Sequence, residues 1–204
     1  MPTTTTNKAT PRRLGRPRST TTRHRILVAT MQLLEQQTMQ SLTIEAIARE
    51  AGVGKATIYR WWDSKALVVI DAFMEHHTFK TQMPQNVPPA EALEIHFTSL
   101  VREYAGWSGR IVAQIIAEGQ ADPAVLRELR ERFQNGRRAV VRDVLERWQA
   151  TGQIHTPVNI EILSDLIYAP VYMRLLVGHA PLDDTFAREH LRYVYSLLGS
   201  PAPD

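Results

Sequence analysis

Apolar residues recur along this chain at the three- and four-residue spacing of amphipathic helices. The first stripe predicts a helix over residues 20–36, with threonine hydroxyls available to cap its start. Thr43 caps a second, short helix, a third is predicted over residues 55–62, and Ser64 caps a fourth that reaches about residue 80. No segment alternates apolar and polar residues as a β-strand does, so the pattern predicts an all-α protein.

A proline-rich stretch at residues 83–89 separates these helices from a second helical region. The helices predicted beyond it cover residues 91–104, 109–119, 122–152, 159–178 and 183–198, which brings the total to about nine. Helix 122–152 begins at Asp122-Pro123, because aspartate caps a helix and proline fits its first turn. Its predicted apolar face consists of Leu126, Leu129, Phe133, Val140, Val144 and Trp148. Pro170 lies inside helix 159–178 and predicts a kink there.

The composition is that of an ordinary globular protein, with 44% hydrophobic and 22% charged residues in a chain of 204. Cysteine is absent, which excludes a disulfide framework and a zinc site built on thiolates and fits a reducing cytoplasm. No apolar run approaches the roughly 18 residues that span a bilayer. The N-terminal residues show no apolar segment typical of a secretory signal, so the expected location is the cytoplasm.

The net charge of +3 is unevenly distributed along the chain. Residues 1–65 contain 11 Lys or Arg and 4 Asp or Glu, a balance of +7. The remaining residues contain 13 and 17, a balance of −4. A basic head on a mildly acidic body predicts an anionic partner for the head, and a basic segment without consequence is the alternative.

Residues 43–67 have the residue types that a helix-turn-helix needs. Two helices that cross steeply need small residues at the crossing, which Ala48 and Ala51 supply, and Gly52 allows positive φ at the turn. The apolar residues that fill the space beneath are Ile47, Val53, Ile58 and Trp62. The third helix then presents outward Lys55, Thr57, Arg60 and, toward one edge, Tyr59 and Trp61. Cations, a hydroxyl and aromatic rings suit a DNA groove.

The same stretch closely resembles the DNA-binding domain of the TetR family of repressors, whose typical pattern is I-A-x-x-A-G-V-S-x-x-T-[LI]-Y-x-[HY]-F-x-S-K-x-x-L. The positions that match are Ile47, Ala48, Ala51, Gly52, Val53, Thr57, Ile58, Tyr59, Ser64 and Lys65. Trp61-Trp62 replaces the common His-Phe or Tyr-Phe pair, and Gly54 replaces the Ser that caps the recognition helix. Because Gly caps nearly as well as Ser, the expected loss of stability is small.

Residues 1–19 are polar and contain Pro2, Pro11, Gly15 and Pro17, which predicts a flexible basic arm. The resemblance implies a three-helix helix-turn-helix domain over 20–66 with a linking helix to about 80, and a helical effector-binding and dimerisation domain over 84–199. It implies that Lys55, Thr57 and Arg60 read bases or adjacent phosphates. It also implies phosphate contacts from Tyr59, Lys65 and Thr43, with Trp61 at the edge of the surface. Trp62 is expected in the core.

The arm contains Gly-Arg-Pro within residues 12–18, a sequence like the centre of an AT-hook. Arg16 and Arg18 on an extended backbone suit the narrow, electronegative minor groove of A·T-rich DNA. The alternative is a disordered tail that adds only non-specific attraction.

The resemblance further implies a homodimer formed through the last two helices. Their apolar residues are Leu163, Leu166, Ile167, Val171, Leu175, Phe186, Tyr193, Val194 and Leu197, some of which must serve the core of the single chain. A ligand cavity is expected between the middle helices. Its candidate walls are Phe97, Tyr104, Trp107, Gln114, Phe133, Trp148, Tyr168 and Met173. Arg110 and Arg174 are the cations considered for an anionic effector, although each equally suits a solvated or paired charge.

The sequence thus predicts a sequence-specific DNA-binding regulator, a repressor released from a palindromic operator by a small molecule. A non-sensing architectural DNA-binding protein is the alternative. No phosphate loop, nucleophile motif or helical metal box indicates an enzyme or a cofactor. His76 and His77 are adjacent and point about 100° apart on a helix, which does not suit one metal ion. An enzyme or interaction module on a helical scaffold remains a third reading, and it predicts no affinity for DNA.

Overall fold

The computed structural model describes residues 20–78, 81–154 and 158–199, and within these ranges every regular element is helical. The α-helices are α1 (Thr20–Gln36), α2 (Ile44–Glu50), α3 (Lys55–Tyr59), α4 (Lys65–Thr78), α5 (Pro89–Tyr104), α6 (Trp107–Ala121), α7 (Pro123–Leu129), α8 (Asn135–Ala150), α9 (Ile160–Val177) and α10 (Asp184–Leu198). A π-helical segment, Arg130–Gln134, joins α7 directly to α8. When α7, the π segment and α8 are counted as one helix, the described ranges contain nine helices, which confirms the all-α prediction.

The N-terminal unit is built on α1, which packs along α4 and contacts α2, while α2 packs against α3. Thr43 Oγ1 caps α2 by accepting from the amide of Ala46 (3.1 Å). Gly52 adopts φ +62°, the left-handed conformation that the turn between α2 and α3 requires. Arg25 of α1 donates to the carbonyls of Ala51 (2.8 Å) and Gly52 (3.2 Å), so the turn is fastened to the first helix.

Among the polar contacts between this unit and the body formed by α5–α10, two involve Asp71 and the α1–α2 loop. The carboxylate of Asp71 in α4 accepts from Arg23 of α1 (3.0 Å) and from Trp62 Nε1 after α3 (2.8 Å). Its other oxygen accepts from Arg132 in the π segment (3.0 Å). In the second contact, Gln114 of α6 accepts from the amide of Met39 in the α1–α2 loop (2.5 Å). The α1–α2 loop and helix α4 are therefore both hydrogen-bonded to the body.

The π segment changes the predicted apolar face of the long helix. A π turn contains more than four residues, so it advances the helix by about one residue relative to an α turn. Val141 rather than Val140 then follows Phe133 into the core, and Val140 is 43% exposed. The prediction that Val140 lies on the apolar face was therefore wrong. The third helix is also shorter than predicted, since its regular part ends at Tyr59.

The body packs α5 against α6, α8 and α10, and α9 against α6 and α8. At the α5–α6 turn, a Cβ on Gly109 would lie 2.0 Å from the carbonyl oxygen of Tyr104, so only glycine permits this approach. Helix α9 continues through Pro170, and the carbonyl of Ile167, three residues earlier, accepts a hydrogen bond from His190 Nε2 (2.9 Å). Among the described residues, no helix is both long and apolar enough to cross a bilayer.

Candidate nucleic-acid interface and ligand cavity

Helix α3 is short, and packing rather than length holds it in place. Ile58 is fully buried beneath it, and Trp62, just beyond it, is 2% exposed. The hydrogen bond from Trp62 Nε1 to Asp71 ties this end of α3 to α4. The opposite side of α3 is thereby left facing outward.

The outward side of α3 carries the side chains predicted to meet DNA. Lys55, Tyr59 and Arg60 are exposed, and Thr57 is half-buried. Lys55 Nζ forms an ion pair with Glu45 of α2 (2.8 Å), and this hydrogen bond lowers the pKa of Glu45 and raises the pKa of Lys55. In this structure the ammonium group of Lys55 is therefore engaged by Glu45.

The other predicted DNA contacts lie in different surroundings. Thr43 is exposed and its oxygen caps α2, which leaves its O–H as a donor. Lys65 Nζ instead donates to the carbonyl of Met39 (2.7 Å), so in this structure its ammonium group holds the α1–α2 loop. Trp61 is half-buried, with its ring centroid 6.1 Å from that of Trp62. Arg16 and Arg18, with the whole 1–19 arm, lie outside the described residues.

A cavity of about 500 Å³ lies in the body between α5, the π segment, α8 and α9. It is lined by Leu100, Gln134, Arg137, Arg138, Val141, Ser164, Asp165, Tyr168, Ala169 and Tyr172. A second cavity of about 430 Å³ lies between α5, α8 and the α4–α5 connection and shares Arg137 and Val141 with the first. Both volumes are in the range of small-molecule sites, about 300–1,000 Å³.

Arg137, which borders both cavities, is held by three neutral acceptors. Its Nη1 donates to His77 Nε2 (2.6 Å) and to Thr81 Oγ1 (2.9 Å). Its Nη2 donates to His96 Nε2 (3.2 Å), while His96 Nδ1 donates to the carbonyl of Thr81 (3.1 Å). Burial, and after it the charge of Arg137, lowers the pKa of His96 to about 3, so this imidazole stays neutral at physiological pH.

Four of the eight predicted cavity residues lie at or behind the cavities. Tyr168 lines the larger cavity and Phe133 the smaller. Phe97 and Tyr104 are buried behind these walls. The ring centroid of Phe97 lies 5.9 Å from that of Tyr168, and that of Tyr104 lies 6.1 Å from that of Tyr172.

The structure places the other four outside the walls of both cavities, which corrects the prediction. Trp148 is fully buried with its ring 5.5 Å from that of Tyr195, in the core beside α10. Trp107 packs its ring on that of His76 (5.1 Å). Gln114 accepts from the amide of Met39 at the junction of the two units, and Met173 is 56% exposed on α9. Residue type alone does not show which side of a helix faces a cavity.

Arg137, the cation that borders both cavities, is absent from the residues predicted from the sequence, where Arg110 and Arg174 were considered instead. Arg110 is exposed, and Arg174 lies over the ring of Phe186 (3.9 Å from the guanidinium carbon to the centroid). A signal was available, because Arg137 stands four residues after Phe133 and four before Val141, on the apolar stripe of the helix. A charge on such a stripe marks a buried polar site.

The two last helices divide their apolar residues between the core and the surface. Leu163, Ile167, Val171, Phe186 and Val194 are buried. The large apolar side chains that remain exposed on α9 and α10 form what we call the outer face, which consists of Ile162, Leu166, Met173, Leu176, Val177, Tyr193 and Leu197. An apolar surface of this extent is typical of an interaction site rather than of a monomer.

The adjacent histidines have separate surroundings. His76 packs on Trp107, and its Nε2 is 4.0 Å from Glu103 Oε1, whereas the fully buried His77 accepts from Arg137. Across the described residues, no group of His, Asp and Glu side chains is arranged to hold a metal ion.

Comparison with known proteins places both units in one family. Residues 26–71 match the profile of "Bacterial regulatory proteins, tetR family", and residues 88–194 match that of "Tetracyclin repressor-like, C-terminal domain". The uncharacterized HTH-type transcriptional regulator YdeS of Bacillus subtilis is 34% identical over 175 residues, covering 86% of this chain and 88% of that protein.

Solved structures agree with this assignment. The TetR family transcription regulator SCO0332 superposes with a TM-score of 0.76 at 28% identity, covering 89% of this chain and 99% of that one. Thermus thermophilus FadR, a TetR family repressor solved in complex with lauroyl-CoA, has the same fold, with a TM-score of 0.66 at 22% identity over 89% of this chain and 99% of its own. The chain therefore belongs to the TetR family of transcriptional regulators.

Proposed function

We propose that this protein is a cytoplasmic, homodimeric repressor that binds a palindromic operator and is released from it by a small molecule. The observation that carries the proposal is the arrangement of Asp71, which hydrogen-bonds to both Trp62 at the end of α3 and Arg132 at the smaller cavity. One carboxylate thus joins the DNA-facing helix to the place where a ligand fits.

The proposed coupling between the cavities and α3 depends on direct side-chain contacts. Arg132, Phe133 and Gln134 belong to the π segment, and each borders one of the two cavities. A ligand that displaces this segment moves Arg132, and with it Asp71 and the end of α3. Only a ligand with different affinities for the DNA-bound and released states shifts the equilibrium between them. The FadR neighbour, which was solved in complex with lauroyl-CoA, supports a small-molecule ligand for a protein of this fold.

The outer face supports a second copy of this chain as the partner. Two recognition helices held about 34–36 Å apart reach successive major grooves, which a monomer does not do. Leu197 is 71% exposed, so Leu197→Glu leaves the protomer's core intact while it places a charge in the interface. We expect this variant to sediment as a monomer and to lose operator affinity. Val140→Glu, also at an exposed apolar position but on α8, is the matched control and should remain dimeric.

The test of function is binding to the DNA that flanks the protein's own gene, compared with scrambled DNA across a salt series. A selective complex of one or two dimers supports the regulator. Equal affinity for both DNAs, with a steep salt dependence, favours an architectural binder instead. No affinity for either refutes both.

A pair of variants separates specific contacts from net charge. Arg60 is exposed at the end of α3, and Arg60→Ala should lower operator affinity by about tenfold or more if it contacts a base. Arg142→Ala removes the same charge from α8, where Arg142 pairs with Glu161 (2.7 Å). Equal losses in the two variants would show that the α3 face does not read the operator.

A further inference from the structure

Arg137 carries a positive charge that no described carboxylate balances. The three groups that accept from it, on His77, Thr81 and His96, are neutral, and none of its contacts is an ion pair with a described Asp or Glu. Among the residues outside the described ranges, the only acidic side chain is that of Asp204. All three accepting residues are at most 5% exposed and Arg137 itself is half-buried, so water compensates this charge only in part.

The neighbouring arginines of α8 differ in this respect. Arg138 pairs with Glu161 (2.7 Å) and with Asp165 (2.6 Å), and Arg142 also pairs with Glu161. The other charges near the larger cavity are therefore balanced within the protein. The unbalanced charge at the cavity is a single positive one.

The hydrogen bonds of Arg137 leave two of its N–H donors without a described acceptor. The guanidinium group has five N–H donors. Both donors of Nη1 and one of Nη2 are used, and the Nε–H and one Nη2–H remain. Nε and Nη2 are bonded to the same carbon, so a carboxylate that approaches this side of the group can accept from both nitrogens.

The rest of the larger cavity suits an apolar body. Leu100, Val141 and Ala169 line it with aliphatic groups. Tyr168 also lines it, and the hydroxyl of this residue is buried. Burial raises the pKa of Tyr168, so the hydroxyl stays uncharged and adds no negative charge to this wall.

We propose that the effector is a monocarboxylate with an otherwise apolar body, held by its carboxylate on the Nε and Nη2 edge of Arg137 within the larger cavity. This names the ligand class of the proposed function and rests on it for regulation, although binding itself is tested independently. One unbalanced charge selects a singly charged ligand. Arg138 and Asp165 line the same cavity as an ion pair, so no further positive charge is left there to balance the extra negative charges of a CoA ester.

The test is isothermal titration calorimetry on the full chain with decanoate, 2-naphthoate, 1-decanol and decanoyl-CoA. At least one of the two acids should bind, and decanoate should bind more tightly than decanol by about 10- to 100-fold if the apolar body is aliphatic, the range for hydrogen bonds to a charged group. If the body is aromatic, 2-naphthoate should instead bind more tightly than 2-naphthol, which is titrated as its matched alcohol, by the same factor. Arg137→Gln should abolish the preference for the acid, and Arg142→Gln, on the same helix, should leave it unchanged.

The proposal is overturned if neither acid binds the wild type, if acid and alcohol bind alike, if decanoyl-CoA binds more tightly than decanoate, or if Arg137→Gln keeps the preference. The comparison of acid with alcohol in the wild type decides the matter even if Arg137→Gln does not fold. Operator binding without ligand is measured on the same samples. An operator complex that forms without ligand and is unaffected by every acid refutes the ligand class alone. Absence of any operator complex in the ligand-free sample, with intact acid binding, refutes the regulator alone.

Discussion

Removal of the Asp71 carboxylate should destabilise the protein by about 3 kcal/mol. In Asp71→Ala, the Nε1 donor of Trp62, a residue 2% exposed, loses its acceptor, which costs about 1–3 kcal/mol. The ion pairs with Arg23 and Arg132 add less, about 0.5–1 kcal/mol each, because these arginine side chains are 34% and 40% exposed. The side chain of Asp71 is only 12% exposed, so in Asp71→Ala little water reaches the donors that have lost this acceptor.

The assay is urea unfolding followed by circular dichroism, with every variant at the same protomer concentration because dimerisation contributes to stability. Asp71→Asn retains an oxygen that accepts from Trp62 and should lose only about 1 kcal/mol. Asp143→Ala is the control, since Asp143 is 61% exposed in an i,i+4 pair with Arg147 worth at most about 0.5 kcal/mol. If Asp71→Ala loses less than Asp143→Ala does, or no more than Asp71→Asn, then the Trp62 bond does not dominate and the reasoning is wrong.

Three further outcomes follow from other sites. Below pH 6.5 the unfolded chain protonates His96 whereas the folded chain, with a pKa of about 3, does not. The free energy of unfolding should therefore fall with decreasing pH by up to about 1.4 kcal/mol per unit, and His96→Gln should remove that share of the slope measured by urea midpoints between pH 7 and 5. Gly52→Ala should lower the free energy of unfolding by about 1–2 kcal/mol through backbone strain alone, because the added Cβ would meet nothing closer than 3.8 Å. Gly136→Ala in α8 is the control and should not lower the free energy of unfolding, because Gly136 has a negative φ. Gln114→Ala should speed hydrogen exchange at the amide of Met39, and unchanged protection would contradict the contact described between the two units.

The N-terminal unit was predictable because its signals are local. A threonine that caps α2, a glycine at positive φ and small residues at the helix crossing each act within a few positions of the chain. The first helix accordingly spans Thr20–Gln36, as its apolar stripe predicts.

The body was less predictable because its contacts join distant positions. The bond between Gln114 and Met39 spans 75 residues, and nothing near Gln114 in the sequence indicates it. The π segment advances the helix phase by one residue, so a uniform 3.6-residue period assigned Val140 rather than Val141 to the core. Where helical periodicity holds without interruption, it separates inside from outside. Where one turn differs, a residue at the edge of the apolar stripe, such as Val140, is assigned to the wrong side.

Under the proposed function, one side of helix α9 lines the ligand cavity and the other side lies in the dimer interface. This arrangement limits how the ligand specificity of the protein can be changed. Ser164, Tyr168 and Tyr172 line the larger cavity, while Leu166 and Met173 on the same helix belong to the outer face. Under the proposed function, a library of substitutions on α9 is expected to alter ligand binding and dimerisation together, because any shift of its backbone reaches both surfaces. Leu100 of α5 and Val141 of α8 border the same cavity from helices outside that face. A biosensor derived from this scaffold is therefore best diversified at those two positions first.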